Sequence, residues 1–281
     1  MRASKVTGWL LLALLTLQTA CGGALSGGAA PTLLPHASAG FNLFSPEQDI
    51  QLGEASAEEI MRQVVVLRDE RTEGYVQRLG ERVAAGAPGY KFPYKFVVVA
   101  SPEVNAFALP GGYVFVNEGA IEAARTEGEL AGVLAHEIAH VSLRHGTTQA
   151  SRAYLARTAL SVLNTVGGIG HGDIWGIAAV VCGAEANKFF LRSNRAVELQ
   201  ADAEGARLLA EAGFDPRDMA NFFERLNEHE VDHVDAASDH PDPASRVEAI
   251  DKVVAALGQT PAHTRDSAEF RRIKSHLSSS R

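Results

Sequence analysis

Along this chain the apolar residues change their spacing several times, and each change predicts a different kind of element. From Trp9 to Leu17 they form one unbroken run behind Arg2 and Lys5. A run that short, with basic residues ahead of it and small residues after it, has the shape of a secretory signal over residues 1–20 rather than a membrane span. Gly, Ala, Ser and Pro then dominate from Gly22 to about Gly40. That composition predicts a flexible tether, residues 21–44, with no fold of its own.

Helical spacing begins at Ser45-Pro46, an N-cap followed by a proline at the first helical position. It runs to about Arg62 and again from about Thr72 to Ala84. Tyr94 to Ala100 is aromatic and β-branched, a strand signal. Val104 to Val116 reads as two extended segments joined by Pro110-Gly111-Gly112, with Pro110 suited to a sheet edge. An edge strand there could pair with an extended peptide by adding it to the sheet. An ordinary hairpin closing a sheet explains the same pattern.

The helical pattern returns at Thr126. Thr126 and Glu129 form a capping-box pair, Leu130, Val133, Leu134, Ile138 and Val141 repeat at helical spacing, and Gly146 after Arg144 and His145 supplies a stop. Inside this helix lie His136, Glu137 and His140. Residues four apart sit about 40° apart around a helix axis, so both imidazoles can reach one point from successive turns. Two neutral imidazoles bind zinc and leave room for a third protein ligand and a water, whose pKa falls to about 7. Glu137 is then placed to accept its proton. His145, about 180° round a continuous helix from His136, is expected to face away.

Between residues 147 and 190, Tyr154–Val166 and Ile174–Ala184 read as two short helices around a glycine-rich turn containing His171. Each is shorter than the 18 or so apolar residues of a span. A hairpin packed on the domain, on a second subunit or on a membrane surface fits them. A further helix opens near Ser193 and stops at Gly213, carrying Glu198 and Asp202 on one face. Glu198 completes a two-histidine, one-glutamate catalytic zinc set. Asp202, one turn later, can accept the free N–H of a ligand imidazole. The rival metzincin pattern is excluded by Leu143 and Gly146, where it needs glycine and histidine. Asp242-Pro243 caps a last helix carrying Val247, Ile250, Val253, Val254 and Leu257. The folded domain is expected over residues 45–257, with 258–281 as a C-terminal tail.

Composition narrows the setting. With 281 residues, 46% hydrophobic and 21% charged, the chain suits one globular catalytic domain with short extensions. The net charge of -8 becomes -10 once Arg2 and Lys5 leave with the signal, which argues against nucleic acid and anionic lipid heads as partners. Leu17-Gln18-Thr19-Ala20-Cys21 resembles a lipoprotein signal in which Cys21 is lipidated, although Gln18 stands where leucine is usual. Gly22 resembles the outer-membrane sorting class. Cys182 would then be the remaining thiol, so no intramolecular disulfide forms.

HEIAH at 136–140, SNRAVELQAD at 193–202, NAFALPGGYVFV at 105–116 and DHP at 239–241 together resemble the gluzincin peptidase family of HtpX, the CAAX prenyl endopeptidases and BepA-type periplasmic lipoprotein peptidases. The resemblance is to its compact single-domain lipoprotein members. It implies a mainly helical α+β zincin fold with a small sheet, whose edge strand lies beside the HExxH helix. It implies one zinc ion held by His136, His140 and Glu198, Glu137 as base, and Asn105, Ala106, Phe107, Ala108 and Leu109 as the substrate-binding edge. It also places His240, as an inhibitory fourth ligand, and Arg246 in the site. Either group could stabilise the oxyanion of the tetrahedral intermediate.

The expected function is a zinc-dependent endopeptidase on the periplasmic side of the cell envelope, an outer-membrane lipoprotein that cleaves unfolded or misassembled envelope proteins. A non-catalytic chaperone or adaptor built on an auto-inhibited zincin fold is the alternative. A purely structural zinc is a third. Oligomerisation is left open.

Overall fold

A computed structural model describes residues 40–164, 195–230, 243–257 and 266–279. The expected helix at 174–184, His171, His240, Cys21 and Cys182 lie outside the described residues.

The first helix, α1 (Pro46–Gln63), starts where the sequence predicts, with Ser45 and Gln48 forming a reciprocal capping box. In α2 (Glu70–Ala84) the Asp69 side chain accepts the Thr72 N–H. Three strands follow: β1 (Lys95–Val99), β2 (Ala106–Ala108) and β3 (Tyr113–Asn117), the last two joined by a 3-10 turn over Pro110–Gly112. Gly111 in that turn has φ 80, and a Cβ there would meet the Asp49 backbone oxygen at 2.6 Å, so glycine is needed for both conformation and space. The sheet order is β1-β3-β2, parallel between β1 and β3 and antiparallel between β3 and β2. Central β3 buries Val114, Phe115 and Val116 completely, whereas β2 is left at an edge.

After the short α3 (Glu118–Ala123) comes α4 (Glu127–Ser142), which carries the His-Glu-x-x-His motif. Thr126 caps it by accepting the Glu129 N–H, and the Glu129 carboxylate takes the Arg125 N–H rather than that of Thr126. Nearly every residue of α4 is buried. A helix apolar on all sides belongs at the centre of a domain, and α2, β2 and the later helices surround this one.

Those later helices are α5 (His145–Asn164), α6 (Arg195–Glu211), α7 (Arg217–Glu230), α8 (Pro243–Leu257) and α9 (Ala268–Ser279). Against α4 packs α6, with Gly205 at the close approach: a Cβ there would lie 3.1 Å from the His136 nitrogen and 3.2 Å from the Ala135 carbonyl oxygen. Phe214, Met219, Phe222 and Phe223 fill the space beside α4, and Ile250 and Val253 of α8 join the same core.

Three expectations are corrected. First, α4 ends at Ser142, not at Gly146, which falls inside α5. The residue that turns the chain is Arg144, at φ 56. Second, residues 42–44, assigned to the tether, are fixed to α5: Asn42 Nδ2 donates to Thr147 Oγ1 at 2.7 Å and the Leu43 N–H to Ser151 Oγ at 2.9 Å. Third, the segment taken as a tail contains α9, which buries Phe270, Ile273 and Leu277 in the main core. Among the described residues no helix is long and apolar enough to cross a membrane.

Candidate metal centre

Helix α4 presents His136 and His140 one turn apart, and α6, brought close by Gly205, presents Glu198 to both. The Nε2 atoms of the two histidines lie 3.1 Å apart. Glu198 Oε2 is 3.3 Å from His136 Nε2, and Oε1 is 3.5 Å from His140 Nε2. A tetrahedral ion with bonds of about 2.0–2.1 Å spaces its donor atoms about 3.3 Å apart, close to the separation of the two imidazole nitrogens and of each from its nearer Glu198 oxygen. Two imidazole nitrogens and a carboxylate oxygen also form a donor set that divalent transition metals accept. The residues therefore fit a metal ion, and among the described residues they form the group able to hold one.

Asp202 sits where its i+4 relation to Glu198 predicts. Its Oδ1 is 2.9 Å from His136 Nδ1, so it can accept the Nδ1–H and leave the Nε2 lone pair facing the site. Asp202 is itself held by Arg246 of α8 through Nε at 2.9 Å and Nη2 at 2.8 Å. The Arg246 guanidinium lies 3.7 Å from the centre of the Phe223 ring. Its Nη2 is 3.2 and 3.3 Å from the two ring nitrogens of His136. Arg246 therefore lies against the His136 ring while gripping Asp202.

The charges are strongly coupled. Burial and the Arg246 charge push the His136 imidazole down, but the Asp202 and Glu198 carboxylates outweigh them and raise it to about 9. Burial raises Asp202, and His136 and Arg246 together bring it below the usual carboxylate range.

Glu137, 4% exposed, lines a cleft with His140 on one side and Phe107, Ala108 and Leu109 on the other. The Leu109 N–H donates to the Tyr113 carbonyl and the Asn117 N–H to the Asn105 carbonyl. With Phe107 opposite Phe115, the odd-numbered residues of β2 thus bond to β3. By antiparallel alternation the N–H and C=O groups of Ala106 and Ala108 point away from β3, along an edge that no described strand pairs with.

One residue is misjudged by helical periodicity. His145 does not face away: its Nδ1 lies 3.0 Å from His140 Nδ1. Burial pushes its pKa down to about 4. The helix break at Arg144 brings it back, and nothing in the local sequence reveals an arginine in the left-handed region.

A model of peptidase family M48 matches residues 70–254. The chain belongs to peptidase family M48. This agrees with the gluzincin resemblance and the mainly helical α+β fold, and a metal ion at the three-residue group agrees with M48 membership. Among curated relatives, a putative beta-barrel assembly-enhancing protease of Vibrio cholerae is 36% identical over 187 residues, 64% of this chain and 38% of that protein. The beta-barrel assembly-enhancing protease of Yersinia pestis is 32% identical over 231 residues, 77% of this chain and 46% of the relative. The mitochondrial metalloendopeptidase OMA1 of Schizosaccharomyces pombe is 32% identical over 187 residues, 63% of this chain and 52% of the relative. The M48 chain described here spans less than half the length of the two bacterial relatives.

Proposed function

We propose that this M48 chain is a zinc-dependent endopeptidase acting on unfolded or misassembled proteins of the bacterial cell envelope. The observation that carries the reading is the convergence of His136, His140 and Glu198 within 3.1–3.5 Å of one another, beside Glu137 and facing an open strand edge. Zinc held there would supply Lewis acidity and lower the pKa of a water to about 7. Glu137 is placed to accept a proton from that water and to return it to the leaving amine. Asn105 to Leu109 bind an extended substrate through the outward backbone groups of Ala106 and Ala108, which recognise main chain rather than a particular side chain. That mode suits unfolded segments. Asp202, clamped by Arg246, keeps His136 in the tautomer that binds metal. By the family resemblance, His240 closes or assists the site.

The N-terminal run and Cys21 support export and a lipid anchor on the periplasmic side of the outer membrane, and relatives whose names refer to β-barrel assembly support envelope substrates. Purified protein assayed on an unfolded polypeptide tests the reading. Cleavage that needs zinc and disappears in Glu137→Gln supports the peptidase. Cellular function unaltered by Glu137→Gln would instead favour a chaperone or adaptor.

A further inference from the structure

The wall of the cleft beyond His140 is made by the turn that ends α4. Arg144, at φ 56, is an L-residue in the left-handed region, a conformation that persists only where the surroundings impose it. The surroundings here are Asp49 of α1, 1% exposed, whose two carboxylate oxygens take Arg144 Nε at 2.6 Å and Nη2 at 3.0 Å, and the Phe44 carbonyl, which also accepts from Nη2. With the chain turned at that point, the next residue, His145, starts α5 and lies against His140. Their Nδ1 atoms are 3.0 Å apart and the rings meet at 78°.

We propose that His145 is a positioning residue for the metal: its Nδ1 accepts the Nδ1–H of His140, and the Asp49–Arg144 ion pair holds it there. The inference rests on the metal reading above. Two imidazole nitrogens at that distance share one hydrogen, so two arrangements exist. If His140 donates, its Nε2 lone pair faces His136 and Glu198, and the ion can bind. If His145 donates, the His140 proton sits on Nε2, in the place of the ion. Metal binding therefore requires the first arrangement, with His145 in the Nε2–H tautomer. The two ligand histidines are thus supported unequally. His136 leans on a carboxylate, which makes its Nε2 more basic, whereas His140 leans on a neutral ring, which fixes orientation with less gain in basicity.

Two measurements test this. In zinc-loaded wild-type protein, long-range nitrogen–proton NMR of the imidazoles should show His145 protonated at Nε2 and bare at Nδ1; a proton on His145 Nδ1 overturns the inference without any substitution. The near-isosteric pair His145→Asn and His145→Leu differs in whether an acceptor stands near the Nδ1 position. Zinc affinity by chelator competition should fall roughly 10- to 100-fold in His145→Leu and stay within about threefold of wild type in His145→Asn, with circular dichroism of the metal-free proteins reporting the fold. Equal affinity in all three proteins overturns the positioning role while leaving the peptidase reading intact. Failure of wild-type protein to bind zinc at all overturns both.

Discussion

Replacing Asp202 separates two jobs that one carboxylate performs. The Asp202 side chain is fully buried and its partner Arg246 is 7% exposed, so solvent does little to screen the pair. Asp202→Ala leaves the guanidinium buried without its counter-charge, a loss of about 3–5 kcal/mol in the metal-free protein. It also leaves the Nδ1–H of His136 without its acceptor, which should weaken zinc binding roughly 10- to 100-fold. The double variant Asp202→Ala/Arg246→Met removes both charges. It should regain at least about 2 kcal/mol of the lost stability, because no uncompensated ion remains. Zinc affinity should not recover, since the acceptor is still missing. Urea denaturation of metal-free protein measures the first quantity, and competition with a chromophoric chelator the second. Metal must be absent from the denaturation, because a ligand bound only to the native state adds its own stabilisation. Recovery of affinity along with stability in the double variant would refute the assignment of Asp202 to the His136 tautomer. So would a single variant that loses neither.

Other expectations follow from the same geometry. Glu137→Gln should bind zinc within about threefold of wild type yet lose roughly 10²–10⁴-fold in the rate of peptide hydrolysis, read with a quenched fluorescent peptide; a loss of metal instead would make Glu137 a ligand. His136 is raised from 6.5 to about 9 in the metal-free site. A raised imidazole pKa gives stability that is complete below about pH 6.5 and lost as pH rises through 9. Melting temperature of the metal-free protein should therefore fall across that window, and the extra stability conferred by zinc should grow; a metal-free melting temperature that stays level across it speaks against the coupling. Ala108→Pro removes an outward N–H of β2 without touching the ladder to β3, so kcat/KM on extended peptides should drop at least about tenfold while the fold survives. Phe107→Pro should instead destabilise the sheet, and equal effects of the two on stability would contradict the assigned register.

Much of the site is legible in the sequence because its parts are local. A capped helix with histidines four apart and a second helix with carboxylates four apart specify ligand geometry through helical spacing alone, and both helices form over the ligand positions, although α4 stops at Ser142 rather than at Gly146. What periodicity does not carry is set by distant partners. The end of α4 depends on Asp49, 95 residues before Arg144 in the chain, so a rule that reserves left-handed turns for glycine chose Gly146. His145 escapes periodicity for the same reason, since a broken helix resets the angular count. Phe270, Ile273 and Leu277 of α9 are spaced by three and four, but Arg271, Arg272 and Lys274 between them make the segment read as a polar tail. Its burial is settled by the groove it fills, which includes Tyr75 of α2, whose ring centre lies 6.3 Å from that of Phe270. Arg246 was found by resemblance alone, and its grip on Asp202 comes from packing of α8 on α6.

The most direct test of the central claim is the zinc environment in the full-length protein, measured by X-ray absorption at the zinc edge with one equivalent of metal. Two imidazole nitrogens, one carboxylate oxygen and one solvent oxygen at about 2.0–2.1 Å are expected, with the carboxylate lost in Glu198→Ala. A shell of four protein donors, one containing sulfur, or a spectrum unchanged by Glu198→Ala, would contradict it.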